Sequence, residues 1–124
     1  MFATTVSPPT NAQLSTFNLQ LSTLSDRLAE ATAEKMHEEV RKHYWGYAKD
    51  EQLSVGEMFK AAYRGIRPAV GYPSLPDQML MHKLNQMIEF ESIDITITEN
   101  GALSPSSSVA GIYISSPRSC YFNL

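Results

Sequence analysis

The stretch LSTFNLQLSTLSDRLAEATAEKMHEEVRKHY, residues 14–44, carries the strongest periodic signal of the chain. Leu14, Phe17, Leu21, Leu24 and Leu28 fall at steps of three and four, and the stripe continues through Ala31, Met36, Val40 and Tyr44. This spacing predicts one long helix from about 15 to 44 with the stripe turned inward. Glu34–Glu38 and Arg41 then decorate its wet side, with Glu38 and Arg41 at a favourable helical spacing. Gly46 is placed to cap its C-terminus. A stripe of this length also fits a coiled coil, but its later loosening to alanine and methionine suits packing on a domain core better.

Working outward, Phe2 to Val6 reads as a short strand that Ser7-Pro8-Pro9-Thr10-Asn11 breaks. Downstream, Ser54-Val55-Gly56-Glu57 has the form of a capping box. It predicts a second helix ending near Tyr63-Arg64-Gly65, with Met58, Ala61 and Ala62 facing inward. Pro68, Pro73 and Pro76 forbid a helix and predict a stiff loop over Gly65–Pro76. A third helix is expected from about Asp77 to Phe90, burying Leu80, Leu84, Met87 and Ile88.

From Ser92 the period switches to two. Ile93, Ile95 and Ile97 alternate with Asp94, Thr96 and Thr98, which describes a strand with one buried face. Glu99-Asn100-Gly101 is turn chemistry. After a Ser-rich loop at 104–108, Ala110–Ile114 reads as another strand, and Tyr121-Phe122 as the start of one more. The expected class is α+β: a long N-terminal helix and two shorter helices packed on a small, mainly antiparallel β-sheet. Residues 1–124 are expected to form a single domain.

Composition narrows the function. Thirteen acidic against ten basic residues give a net charge of -3, which argues against a dedicated nucleic-acid binder. The single cysteine, Cys120, excludes an internal disulfide framework and a multi-thiolate zinc site. No secretory signal is visible, and no run approaches the ~20 apolar residues of a membrane-spanning helix. A soluble, cytoplasmic protein without membrane contact is expected.

Few residues carry chemistry. His37 and His43 are six apart on the long helix and so do not share the face of a zinc pair; His82 sits on another helix. All three read as structural or solvated, and Cys120 as inert. Nucleophile triads and phosphate-binding loops are missing, so no catalytic side chain and no metal site are predicted. The segment RPAVGYP, residues 67–73, stands apart. Its prolines stiffen backbone donors and acceptors, Arg67 can grip a carboxylate or phosphate through two parallel bonds, and Tyr72 adds a flat, partly polar surface. The plainer alternative is a loop tying two helices together, with Arg67 salt-bridged to the long helix. Asp26, Glu30 and His37 line one polar stripe of that helix, ordinarily a solvated face. Glu30 gains interest only if the RPAVGYP loop packs over it.

Three blocks, LSDRLAEATAEKMHEEVRKHYWGYA (24–48), YRGIRPAVGYPSLPD (63–77) and TENGALSPSSSVAGIYISSPRSCYF (98–122), resemble the activation domain of cobalamin-dependent methionine synthase, in that family's order. The resemblance covers about 20–122. It implies binding of S-adenosylmethionine and support of the reductive methylation of cob(II)alamin to methylcobalamin, a repair step in methionine biosynthesis. It implies that Glu30, Arg67, Ala69 and Tyr121 contact S-adenosylmethionine, while Gly71, Tyr72 and Pro73 shape the loop. Cobalamin would be carried by a partner module, the cobalamin-binding methionine synthase subunit, with a flavodoxin-like electron donor. Acting in trans as a methyltransferase module, the chain is not a complete enzyme alone.

The chain departs from the family pattern in several respects. The family domain is considerably longer at its N-terminus and has an acidic ligand contact there without a counterpart here. It has Cys-Pro after GYP where this chain has Ser74-Leu75-Pro76, often has a bulky segment where this chain has Asn100-Gly101-Ala102-Leu103, and usually continues beyond the Tyr-Phe pair. Two other readings follow: a non-catalytic S-adenosylmethionine-sensing or docking protein, and a truncated relic. The relic would self-associate as a homodimer through the Leu14–Leu28 stripe.

Overall fold

The structure, a computed structural model, describes residues 1–5 and 15–121, and within the long helix the side chains from Leu19 onward. Its elements are β1 (Phe2–Thr5), α1 (Ser15–Glu39) continuing into a π-helical turn (Val40–Tyr44), α2 (Val55–Phe59), α3 (Leu80–Ile88), a 3-10 turn (Phe90–Ile93), β2 (Thr96–Ile97), β3 (Leu103–Ser104) and β4 (Ser108–Gly111). The α+β class holds.

Residues of high helix propensity, Ala, Leu, Glu, Lys and Met, dominate α1. Lys35 lies 3.0 Å from Glu39, and Lys42 lies 2.9 Å from Glu38, each one helical turn apart. The helix stops as expected at Gly46, whose φ of 61° is open to a residue without a side chain.

The buried face of α1 is not the leucine stripe. Ser25, Ala29, Ala33 and His37 are buried, as is Arg41 in the turn that follows. Of the expected stripe Val40 is buried and Leu21 half-buried, whereas Leu24 is 55% and Leu28 47% exposed, and Ala31, Met36 and Tyr44 face outward. Leu14 lies outside the described residues, as does the side chain of Phe17. Small side chains let the helix backbone approach the sheet: Thr4 Oγ1 donates to the Ala29 carbonyl at 3.4 Å. Arg41, expected on the wet side, is instead fully enclosed.

Two small antiparallel sheets follow. β1 pairs with β4 from Phe2 opposite Gly111 to Thr5 opposite Ser108, and β2 pairs with β3. The proline-rich segment extends the first sheet. Ile66 and Ile114 exchange backbone hydrogen bonds at 2.9 and 3.0 Å, Val70 N–H donates to Ala110, and Ile112 N–H donates to the Pro68 carbonyl. The expected stiff loop therefore runs along the free side of β4 as an irregular edge, where the N–H that Pro68 lacks is not needed.

Several boundaries shift. The capping box forms, with Ser54 N–H donating to Glu57 at 2.8 Å. However, α2 ends at Phe59 with no buried residue, because Ala61 turns into the left-handed region at φ 50°. Met58 and Ala61 are only half-buried and Ala62 is exposed. α3 starts late because the Asp77 side chain accepts from Met79 N–H at 3.0 Å in a local turn. It stops early at Glu89, φ 47°. Its buried residues are Met81 and Leu84, while Met87 is 64% exposed.

The Ile93–Ile97 strand shrinks to Thr96–Ile97. Ile93 belongs to the 3-10 turn and Asp94 turns left-handed, so only Ile95 is fully buried. The expected Ala110–Ile114 strand is displaced to Ser108–Gly111, and part of the Ser-rich loop forms β3. Tyr121 sits in a bend, and Phe122 lies outside the described residues. Val70, Met81, Leu84, Phe90, Ile95 and Ala110 make the core.

The 67–73 segment passes close alongside β4. A Cβ on Gly111 would come within 2.3 Å of the Pro68 carbonyl oxygen and 2.9 Å of Ala69 Cα. Gly111→Ala should therefore cost about 1–3 kcal/mol, as overpacking does; chemical denaturation checks this, and an unchanged midpoint would contradict the close approach.

Candidate functional site

The edge position of residues 67–73 directs its side chains onto α1. Arg67 Nη2 donates to Glu34 Oε2 at 2.8 Å, and Tyr72 donates its phenolic hydrogen to Glu30 Oε1 at 2.9 Å. Arg67 is thus salt-bridged to the long helix, as the plainer reading held, and the loop does pack over Glu30. The Arg67 backbone N–H donates to the Tyr121 hydroxyl at 2.9 Å, and that oxygen lies 3.4 Å from the Tyr63 hydroxyl.

Behind this layer sits the buried Arg41. Its Nε lies 2.9 and 3.0 Å from the two Glu51 oxygens, and its Nη2 2.7 Å from Oε1. Its guanidinium lies 4.2 Å from the Tyr63 ring centre. Its Nη1 is 4.0 Å from Glu34 Oε1. Glu51, Arg41, Glu34 and Arg67 therefore alternate in sign. Glu38, expected to face Arg41, pairs instead with Lys35 at 2.8 Å and Lys42 at 2.9 Å.

These surroundings set the ionisation. Burial works against the Arg67 charge, but Glu34 outweighs it and leaves the pKa above the ordinary value. Tyr72 is raised, first by its bond to Glu30 and then by burial, and Tyr63 is raised by burial and by Tyr121. The bonds from Lys35 and Lys42 hold Glu38 down at about 2. His37 is stacked on Tyr113 with ring centres 5.3 Å apart and meets Tyr63 edge-on at 5.0 Å. Burial, then the charges of Arg41 and Arg67, lower it to about 3. It is a neutral structural histidine. Of the Asp26–Glu30–His37 stripe only His37 is enclosed; Asp26 is exposed while accepting from Ser107 at 2.6 Å, and Glu30 is half-buried, accepting from Tyr72.

A cavity of about 560 Å³ opens beside the ladder. Arg27, Glu30, Glu34, Lys35, Glu38 and Arg67 form its polar wall, and Val55, Met58 and Phe59 of α2 the apolar one. Its size falls in the roughly 300–1,000 Å³ range of small-molecule sites. Among the described residues, Glu34 Oε1 and Arg67 Nε are buried without a hydrogen-bond partner. A smaller cavity of about 310 Å³ is lined by Glu38, Lys42, Arg41 and Glu51, which already pair with one another.

Glu30 and Arg67 thus share one cavity. Tyr121 reaches it only through the Arg67 backbone, and Ala69 bridges to Gly111 with its carbonyl accepting from Tyr72 N–H at 3.3 Å. Gly71 takes φ 87° and donates to the Leu75 carbonyl, so the turn carrying Tyr72 and Pro73 is closed locally. Tyr72 touches Glu30 as well as shaping that turn. Sequence reasoning missed Glu34, although its place four residues after Glu30 put both on one face. It also missed the apolar wall of α2.

The family model described as vitamin B12-dependent methionine synthase, activation domain, matches residues 11–124. The chain is similar to a solved structure, the crystal structure of the MetH reactivation domain bound to AdoHcy, at 43% identity with a TM-score of 0.81. The match covers 86% of this chain and 34% of that one, so this chain spans about a third of that relative's length.

Two outcomes follow from the buried charges. Glu51→Ala strands a buried guanidinium and should cost about 3–5 kcal/mol in urea unfolding; a cost under about 1 kcal/mol would contradict the burial of Arg41. His37 takes up a proton near 6.5 when unfolded but only near 3 when folded, so protonation favours the unfolded chain. Its contribution is complete above about 6.5 and is lost as the pH falls toward about 3. His37→Leu should flatten the unfolding midpoint between 6.5 and 4.5, above the ordinary carboxylate range.

Proposed function

The chain belongs to the family of vitamin B12-dependent methionine synthase activation domains, and from that membership we propose that it binds S-adenosylmethionine and supports reductive methylation of cobalamin. The cobalamin is held by a separate methionine synthase module, reached in trans in the cytoplasm, with the electron coming from a flavodoxin-like donor. One domain spanning residues 1–124 carries this role. The observation that carries the reading is the convergence of Glu30 and Arg67 on one cavity. The AdoHcy bound by the similar reactivation domain, S-adenosylmethionine without its methyl group, supports the ligand class.

The residues present fit such a ligand. The Arg67 guanidinium on the cavity wall suits an amino-acid carboxylate that takes the place of Glu34. Glu30, which no salt bridge among the described residues engages, suits an ammonium or sulfonium charge, and the Val55–Met58–Phe59 wall suits a nucleoside. Glu30 takes the amine or the ribose hydroxyls, while Ala69, bridged to Gly111, and the Tyr121 hydroxyl, bonded to the Arg67 backbone, hold the segment that presents Arg67. Gly71, Tyr72 and Pro73 fix the turn. When bound in its partner module, reduced cobalamin supplies the cobalt that accepts the sulfonium methyl. This displacement needs no general base, so the chain's contribution is to bind, orient and exclude water.

Calorimetric titration tests the reading. Wild type should bind S-adenosylmethionine saturably, and Arg67→Ala should lose about 1.5–3 kcal/mol, the scale of a charge-assisted hydrogen bond and tenfold or more in affinity. No heat at millimolar ligand would overturn it. Binding without reductive methylation of the cognate cobalamin protein would leave a sensing or docking protein.

A further inference from the structure

Glu34 stands between two guanidinium groups. Its Oε2 accepts from Arg67 Nη2 at 2.8 Å, whereas its Oε1 lies 4.0 Å from Arg41 Nη1, beyond hydrogen-bond reach. Among the described residues, Oε1 and Nη1 are both buried without a hydrogen-bond partner. Glu51 occupies the other edge of Arg41 through Nε and Nη2, and the Tyr63 ring lies 4.2 Å from the guanidinium carbon. Nη1 is therefore the end of that guanidinium still open to an acceptor. Glu34 sits beside it, about two turns earlier on the same helical run. Arg67 presents the contrast: it lines the cavity, and among the described residues its side chain is held by one hydrogen bond, the one to Glu34.

We propose, on the S-adenosylmethionine reading of this cavity, that Glu34 is an exchangeable counter-ion: it holds Arg67 in the ligand-free chain and passes to Arg41 when the ligand's carboxylate takes Arg67. Closing the gap to Nη1 moves Oε1 by about 1 Å, a side-chain rotation that leaves α1 in place. Neither carboxylate is then left without a cation, so the exchange avoids the cost of a half-buried unpaired charge. Glu34 and the ligand compete for the same guanidinium, and Glu34 thereby weakens binding of any ligand that needs Arg67. A ligand without a carboxylate offers Arg67 nothing in exchange and leaves Glu34 where it is. Glu34 thus determines specificity for the amino-acid end of the ligand, acting through Arg67.

Calorimetric titration of the full chain with S-adenosylmethionine and with its decarboxylated form, which keeps the amine and the sulfonium, tests the exchange. Glu34→Gln leaves an acceptor facing Arg67, but a neutral one, which holds a guanidinium about half as strongly. It should tighten S-adenosylmethionine binding roughly three- to tenfold and leave the decarboxylated form within about twofold. A change common to both ligands, such as the loss expected if Glu34 held the ligand's positive charge, overturns the exchange. So does an unchanged constant for S-adenosylmethionine. A wild-type chain that binds neither ligand overturns the S-adenosylmethionine reading itself and this proposal with it. A crystal structure of the wild-type complex reads the exchange without any variant. Glu34 within hydrogen-bond distance of Arg41 Nη1, with the ligand carboxylate on Arg67, is the expected result; Glu34 still on Arg67 overturns it.

Discussion

Burying a guanidinium is the constraint on which the rest of this structure depends. Arg41 is enclosed on the core side of α1, and an unpaired charge there would cost several kcal/mol. The fold answers by returning the chain after Gly46 so that Glu51 chelates it. That return sets where α2 begins, and α2 provides the apolar wall of the cavity. The same guanidinium lies over the Tyr63 ring, which pins the segment leading into Arg67. Helix, α2 and edge segment are thus registered against one another by a single buried cation.

The second constraint is closeness. Alanine and serine at 25, 29 and 33 bring α1 down onto the first sheet, and Gly111 lets the 67–73 segment pass alongside β4 backbone to backbone. Only because both approaches are tight can short side chains such as Glu30 and Glu34 reach Tyr72 and Arg67 across the interface. A leucine-packed helix would stand farther off, and the carboxylates would meet water instead of the loop.

What was legible in the sequence follows from this. The α1 helix, the Ser54 capping box and the turn at Asn100-Gly101 are local, and each formed where its chemistry pointed; the first strand also formed, although its partner β4 is distant in sequence. Period alone revealed that α1 is helical but not which face is buried, because the helix has an apolar leucine side and a small-residue side. Hydrophobicity favoured the leucines; tertiary closeness chose the alanines. The Ile93–Ile97 alternation failed for a similar reason. Positive φ at Glu89 and Asp94 folds the chain into a 3-10 turn that spends Ile93 on the surface and saves Ile95 for the core. Glu30 and Arg67 were found through family resemblance and the stiffness of RPAVGYP. Glu34 and Arg41 were missed because charged residues on a helix ordinarily face water.

The ladder also bears on how a site can be charged before its ligand arrives. Arg67 is held by Glu34, so a ligand carboxylate that takes the guanidinium competes with a carboxylate already in place. Such a competition normally fails, because the displaced group is left half-buried without a counter-charge. Here Glu34 has a second cation: Arg41 Nη1 lies 4.0 Å from its free oxygen and has no hydrogen-bond partner of its own. A small swing of Glu34 toward Arg41 would release Arg67 and satisfy both orphaned atoms at once. Alternation of sign along Glu51, Arg41, Glu34 and Arg67 holds the loop in shape, and in the proposed site it would keep the exchange of one carboxylate for another nearly balanced in charge.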